Sequence, residues 1–224
     1  MKTGSDTATR YVPVGVRFMR AGLATTLRQR LKSFGWWSWW VGLAFFSIYP
    51  TTNWLAELNT HHYSVHIAAE LRIPFIAGFI WFYLSMYLLF TLPPFFLDPP
   101  ELKRLGIELL VATAAAGLVF VVFPVKLGFE RVAPDVPLYR DIYATVFSID
   151  KPFNLVPSLH VVYSSAIALS IVRKMGDYSR GIVLLWAALI AVSTVLVHQH
   201  HLLDVVTALA LVVCVSVLVG RKYV

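Results

Sequence analysis

Ser193-Thr194-Val195-Leu196-Val197-His198-Gln199-His200-His201-Leu202-Leu203-Asp204 joins two apolar runs, each long enough to cross a membrane. Three histidines and a carboxylate at such a boundary are costly unless they are used. On a helix, His200 and Asp204 stand four apart and share a face. The carboxylate can then accept the proton of one ring nitrogen, which leaves the other free as a base or nucleophile. His201, three residues from Asp204, competes for the same role. Further upstream, Pro157-Ser158-Leu159-His160 opens another apolar run in the same way. The architecture turns on whether these two helix starts face one site.

The chain has 224 residues, of which 58% are hydrophobic and only 14% charged. Its mean hydropathy is +0.70. That is too apolar for an ordinary soluble domain and predicts an all-α, polytopic membrane protein. A β-barrel is disfavoured because the apolar runs are continuous and do not alternate. The net charge of +7 reads as membrane topology and contact with anionic headgroups, not as nucleic-acid binding. The single cysteine, Cys214, lies inside the last apolar run, which excludes disulfides and cysteine-based zinc sites within one chain. The first thirty-odd residues are polar and basic, so the first apolar segment is expected to direct insertion.

Residues 1–35 read as a cytoplasmic basic segment, with Val14 to Leu31 an amphipathic helix on the membrane surface. A disordered basic tail is the alternative. Residues 36–224 read as one six-helix membrane domain. The expected spans are Trp36 to Tyr49, Ile73 to Leu92, Leu105 to Phe123, Pro157 to Ile171, Gly181 to Val197 and Leu202 to Val219. Thr51 to Leu71 reads as a polar, solvated loop. Its His61, His62 and His66 have no carboxylate at ligand spacing and make a weak metal signal. Pro124 to Val156 is the longest connection. With a cytoplasmic N-terminus, fourteen of the nineteen basic residues fall on the cytoplasmic side, as the positive-inside rule expects. The same topology brings Lys126, Arg131, Ser158, His160, His200 and Asp204 to the outer face.

That set suits phosphate chemistry. Lys126 and Arg131 supply positive charge and several donors. Ser158 follows Pro157 at a helix start, where free N–H groups and the helix dipole favour an anion. Two imidazoles, His160 and His200, can serve as nucleophile and acid/base without a metal. Few carboxylates cluster as a magnesium site requires. Taken singly, each residue is an ordinary polar group at a membrane edge. Their convergence on one face points to function.

Pro157-Ser158-Leu159-His160 and Ser193-x6-His200-x3-Asp204 resemble the second and third signatures of the type-2 phosphatidic acid phosphatase superfamily. Phe123-Pro124-Val125-Lys126 with Phe129-Glu130-Arg131 is similar to the first. The overall look is closest to the branch that includes inositol phosphorylceramide synthase-like enzymes. The resemblance implies that His200 attacks phosphorus to form a phosphohistidine and that Asp204 orients it. It also implies that His160 protonates the leaving group and then activates water or an alcohol, that Lys126, Arg131 and Ser158 bind the phosphate, and that no metal or cofactor takes part. The chain departs from the pattern in three places. Lys126 and Arg131 are only four residues apart in between, Val132 replaces a proline, and Thr194 stands where an arginine is usual. His198 or Arg140 is a candidate substitute for the missing cation.

The leading expectation is a lipid phosphatase of a bacterial-type inner membrane, with both termini cytoplasmic and its site facing the periplasm. Its substrate would be a phosphomonoester or diphosphate lipid, and its surroundings membrane lipids. Headgroup transfer to an alcohol is the second reading. A non-catalytic transporter relaying protons through His160, His200 and Asp204 is the third.

Overall fold

The computed structural model describes residues 25–220. The expected amphipathic segment lies largely outside the described residues. The regular elements of the described residues are helices, with α1 Leu27–Leu58, α2 Ile80–Leu84, α3 Met86–Leu89, α4 Pro93–Phe96, α5 Pro99–Val122, α6 Pro137–Ile149, α7 Leu159–Ile171, α8 Asp177–Leu196 and α9 Leu202–Gly220. Among the described residues there is no strand, only an isolated bridge between Tyr63 and Val125. Three helices are long and apolar enough to cross a membrane: α5, α8 and α9.

Helix α1 starts well before the expected first span and runs unbroken through residue 35. Thr26 caps it, accepting the N–H of Gln29, while the Gln29 side chain returns to the Thr26 N–H. Pro50 interrupts its hydrogen-bond ladder. The hydroxyls of Thr51 and Thr52 take up the carbonyls of Ser47 and Ile48 just before it. Helix α5 is capped the same way by Asp98 and Glu101, with Pro99 and Pro100 in its first turn. Asp98 also binds Arg30 at 2.7 Å and the Thr25 hydroxyl at 2.6 Å, so the starts of α1 and α5 meet.

The two helices then run side by side in the same direction. A Cβ on Gly106 would sit 2.7 Å from the Trp37 ring, and one on Gly117 only 2.3 Å from Ile48 Cγ2. Both pairs are spaced by three turns of helix, so the absence of a side chain at Gly106 and Gly117 lets α1 press onto α5. Ala112, Ala116 and Phe120 of α5 continue into a core shared with Val161, Val162 and Ile167 of α7 and Ala208 and Val212 of α9. Across it the Thr113 and Tyr163 hydroxyls bond at 2.6 Å.

Three sequence expectations need correction. The single span expected over Ile73 to Leu92 is a chain of short turns, with a 3-10 turn at Ala77–Phe79 followed by α2 and α3. Ser85 stands between α2 and α3, and its hydroxyl accepts the indole N–H of Trp186 at 2.8 Å. The Pro124 to Val156 connection contains α6, whose Tyr143 is fully buried and donates to the Ala77 carbonyl. The Thr51 to Leu71 loop is helical to Leu58. Beyond that it is tied down by the bonds from Tyr63 N–H to Pro124 O and from Lys126 N–H to Tyr63 O.

Candidate active site

Helix α9 begins immediately after the histidine run, and its first turn holds Asp204 with no solvent exposure. Asp204 Oδ2 accepts the Nδ1–H of His200 at 3.1 Å and the backbone N–H of His201 at 2.8 Å. This fixes the tautomer of His200 and leaves its Nε2 with a free lone pair. The approach to α9 is a tight reversal. Gln199 and His200 N–H both donate to the Thr194 carbonyl at the end of α8, and His198 adopts φ 55°. The Asp204 carbonyl accepts the Ser158 N–H at 3.1 Å, which joins the starts of α7 and α9. The two motifs therefore meet through the backbone, as their spacing suggests.

His160 sits in the first turn of α7, stacked on Tyr83 at 4.0 Å, and its Nε2 has no protein partner. It lines the same cavity as His200. Ser158 is fully buried as the N-cap of α7, where its hydroxyl accepts the Val161 N–H at 3.5 Å. Arg131 reaches inward. Its guanidinium donates to the Asp150 carbonyl and to Gln199 Oε1 at 3.1 Å, and lies 5.2 Å over the Phe147 ring. Burial pulls its pKa below the ordinary value, and the Asp150 carboxylate opposes the shift. Lys126 is exposed, and the side chains of Lys126, Arg131 and Ser158 are not part of the cavity wall.

The two candidates for the missing cation are held elsewhere. His198 donates from Nε2 to the Ile73 carbonyl at 3.0 Å and stacks on Phe129 at 4.0 Å. Burial lowers its pKa, and the bond to Ile73 works the other way. Arg140 is exposed on α6 and donates to the Asp135 carbonyl at 2.6 Å. Neither lines the cavity.

His201 has both ring nitrogens occupied. Nε2 accepts the Gly128 N–H at 3.0 Å, so Nδ1 carries the proton and donates to Glu70 Oε2 at 3.2 Å. Its ring is stacked against Phe129 at 4.4 Å and against His66 at 4.7 Å. A Cβ on Gly128 would lie 2.3 Å from the His66 ring, so only glycine fits this stack. The same Glu70 oxygen accepts the Leu202 N–H at 2.9 Å and so caps α9. Glu70 is buried, and nothing in its loop sequence signals it. Its partners on the α9 side, His201 and Leu202, lie more than 130 residues away. His62 donates to the Ala56 carbonyl at 2.8 Å. Among the described residues, no group of three or more His, Cys, Asp or Glu is placed to hold a metal ion.

The cavity measures about 870 Å³. One end carries His160, His200, Tyr83, Asn53 and Asn154, and the other is walled by Phe34, Trp37, Val41 and Phe90. Its lining on α1 extends from Phe34 to Glu57, which at 1.5 Å per residue is roughly 35 Å. That length is comparable to the hydrocarbon core of a bilayer, about 30 Å. Geometry of this kind can hold a long apolar chain with its polar end beside two imidazoles. The family model of the PAP2 superfamily matches residues 105–223. No curated protein and no solved structure matches the chain.

Proposed function

The chain belongs to the PAP2 superfamily, and we propose that it is an integral membrane lipid phosphatase working through a phosphohistidine. The observation that carries the reading is the position of the His200–Asp204 pair and His160 at the polar end of a membrane-length apolar cavity. A lipid tail would lie along α1, and its phosphate would sit between the two rings. His200 Nε2 attacks phosphorus, and the bond to the leaving oxygen breaks. Asp204 stabilises the imidazolium that forms. His160 protonates the leaving oxygen, then takes a proton from water as the water attacks phosphorus and the N–P bond breaks. Arg131, with one donor edge toward Gln199, supplies positive charge near the site, and Lys126 and Ser158 remain candidates for the same phosphate. In this reading the chain crosses an inner membrane six times, the broken α2–α3 stretch making the second crossing, with cytoplasmic termini and a periplasmic site. Substrates are phospholipid monoesters or polyprenyl diphosphates.

A second reading, headgroup transfer to an alcohol, is favoured by a specific feature. Amide carbonyls as well as histidines line the polar end of the cavity, and Thr194 brings no cation where the usual motif has arginine. Assignment to the inositol phosphorylceramide synthase-like branch is part of this second reading. Phosphate release by the purified protein in detergent with EDTA, over a lipid panel, tests the first reading, with His200→Ala as control. Release that survives EDTA and vanishes in His200→Ala supports it. Release that persists in His200→Ala overturns it.

A further inference from the structure

Asn154 is buried, and its orientation is fixed by its partners. Its Nδ2 donates to the Tyr49 carbonyl at 2.9 Å and to the Thr52 hydroxyl at 2.8 Å. The Tyr49 carbonyl can only accept, so the nitrogen must face it and Oδ1 must point the other way. That oxygen is buried without a partner, and so is Oδ1 of Asn53, four residues further along α1 from Tyr49. Both residues line the cavity that holds His160 and His200. Buried amide oxygens are ordinarily bonded, and leaving one unpaired is costly. Two in one cavity wall, beside the reacting groups, call for donors supplied by a ligand.

The chemistry of those donors can be narrowed. A carbonyl oxygen accepts and never donates, so neither amide oxygen can hold a phosphate oxygen that is itself an acceptor. They fit a group bearing O–H or N–H next to the phosphate. An ammonium would want an unmatched carboxylate nearby. The two carboxylates in this wall already face cations. Asp150 lies in the field of the Arg131 guanidinium and also accepts the hydroxyls of Tyr49 and Tyr83, and Glu57 pairs with Lys151 at 2.6 Å. Neutral hydroxyl donors are therefore the better fit.

We propose that the carbonyl oxygens of Asn53 and Asn154 form a subsite for a hydroxyl group adjoining the reacting phosphate. This rests on the histidine reading above. It selects hydroxyl-bearing head groups, or a free polyol acceptor, over a bare phosphomonoester. With an acceptor, the hydroxyl oxygen attacks the phosphorus of the phosphohistidine and its proton passes to His160. The N–P bond breaks with its electron pair returning to His200 Nε2. With the hydroxyl on the lipid's own head group, the subsite only orients the substrate and water completes the turnover.

The test compares kcat/KM on phosphatidic acid, whose head has no hydroxyl, with kcat/KM on phosphatidylglycerol phosphate. A parallel arm adds glycerol or inositol to phosphatidic acid and measures the phosphorylated polyol. The wild-type protein should prefer phosphatidylglycerol phosphate, placing the hydroxyl on the lipid, or form the polyol product, placing it on an acceptor. Asn53→Leu and Asn154→Leu should each cut that preference by about tenfold, the worth of one neutral hydrogen bond. Asn154 also braces Tyr49 and Thr52, so if its variant does not fold, Asn53→Leu carries the test. Equal kcat/KM on both lipids with no polyol product overturns the subsite and leaves the phosphatase standing, as does a preference that neither variant moves. No turnover of any substrate overturns both.

Discussion

Replacing Glu70 with alanine should damage both the fold and the chemistry, although Glu70 is absent from the cavity wall. Glu70 is only 4% exposed, and its carboxylate accepts three N–H groups, from His201 Nδ1, Leu202 and Ile67, at 3.2, 2.9 and 3.2 Å. A hydrogen bond to a charged group contributes about 1.5–3 kcal/mol. The Ile67 N–H belongs to a surface loop and can rehydrate, so two bonds count in full. The expected loss is about 3–6 kcal/mol, measured as unfolding free energy in detergent. Activity should fall with it, because the backbone N–H of the freed His201 shares Asp204 Oδ2 with His200 Nδ1 and helps to hold that carboxylate in place. Glu70→Gln, which keeps an acceptor oxygen, should recover part of both. A loss below about 1 kcal/mol for Glu70→Ala would refute the reasoning, since it would mean that these bonds are exchanged for water at no cost.

The same cluster sets a pH dependence. Burial pulls the His201 pKa below its ordinary 6.5, outweighing Asp204 and Glu70. The unfolded chain therefore binds this proton first, and stability should fall as pH drops below about 6.5, by at most about 1.4 kcal/mol per unit. Burial works to raise the Glu70 pKa, but the N–H groups of Leu202 and Ile67 and the facing His201 hold it below its ordinary 4.5. Its contribution persists above 4.5 and is lost as pH falls through the lower folded value; His201→Gln should remove the first slope and leave the second. His200→Ala should abolish turnover, whereas His201→Ala should lower it far less, read by phosphate release; the reverse ranking would reassign the nucleophile. Asp204→Asn should reduce kcat by roughly 10²–10⁴, because the amide can present a donor to His200 Nδ1 and favour the wrong tautomer. Gly117→Leu should lower the thermal midpoint by an amount equivalent to about 1–3 kcal/mol, because a side chain there must displace Ile48.

Local spacing made part of this site legible in the sequence. The four-residue spacing flagged the His200–Asp204 pair, although His200 precedes α9 and the turn after α8, not helical periodicity, brings it to the carboxylate. A proline followed by serine marks the start of α7 within a residue or two. Helices α5, α8 and α9 followed from uninterrupted apolar runs. What escaped depended on contacts across the chain. Glu70 looked like one polar residue of a loop, and its role exists only because α9 begins beside it. Helix α6 was hidden because its residues are mixed in polarity and lie in a segment rich in charge, so no apolar run announced it. The broken path of α2 and α3 was masked by the opposite effect, since Ile73 to Leu92 is apolar enough to pass for one span. Asn53 and Asn154 carried no motif at all. Their meaning comes from the direction in which one amide is forced to point.

The most direct test of the central claim is to trap the intermediate. The protein would be mixed with a turned-over phosphate lipid in EDTA, quenched in alkali, and digested for peptide mass analysis. The account predicts an acid-labile phosphoryl group on His200 that forms only with substrate and is absent when His200 is replaced by alanine. Turnover with no phosphohistidine at any time point, or a phosphoryl group on His201 instead, would contradict it.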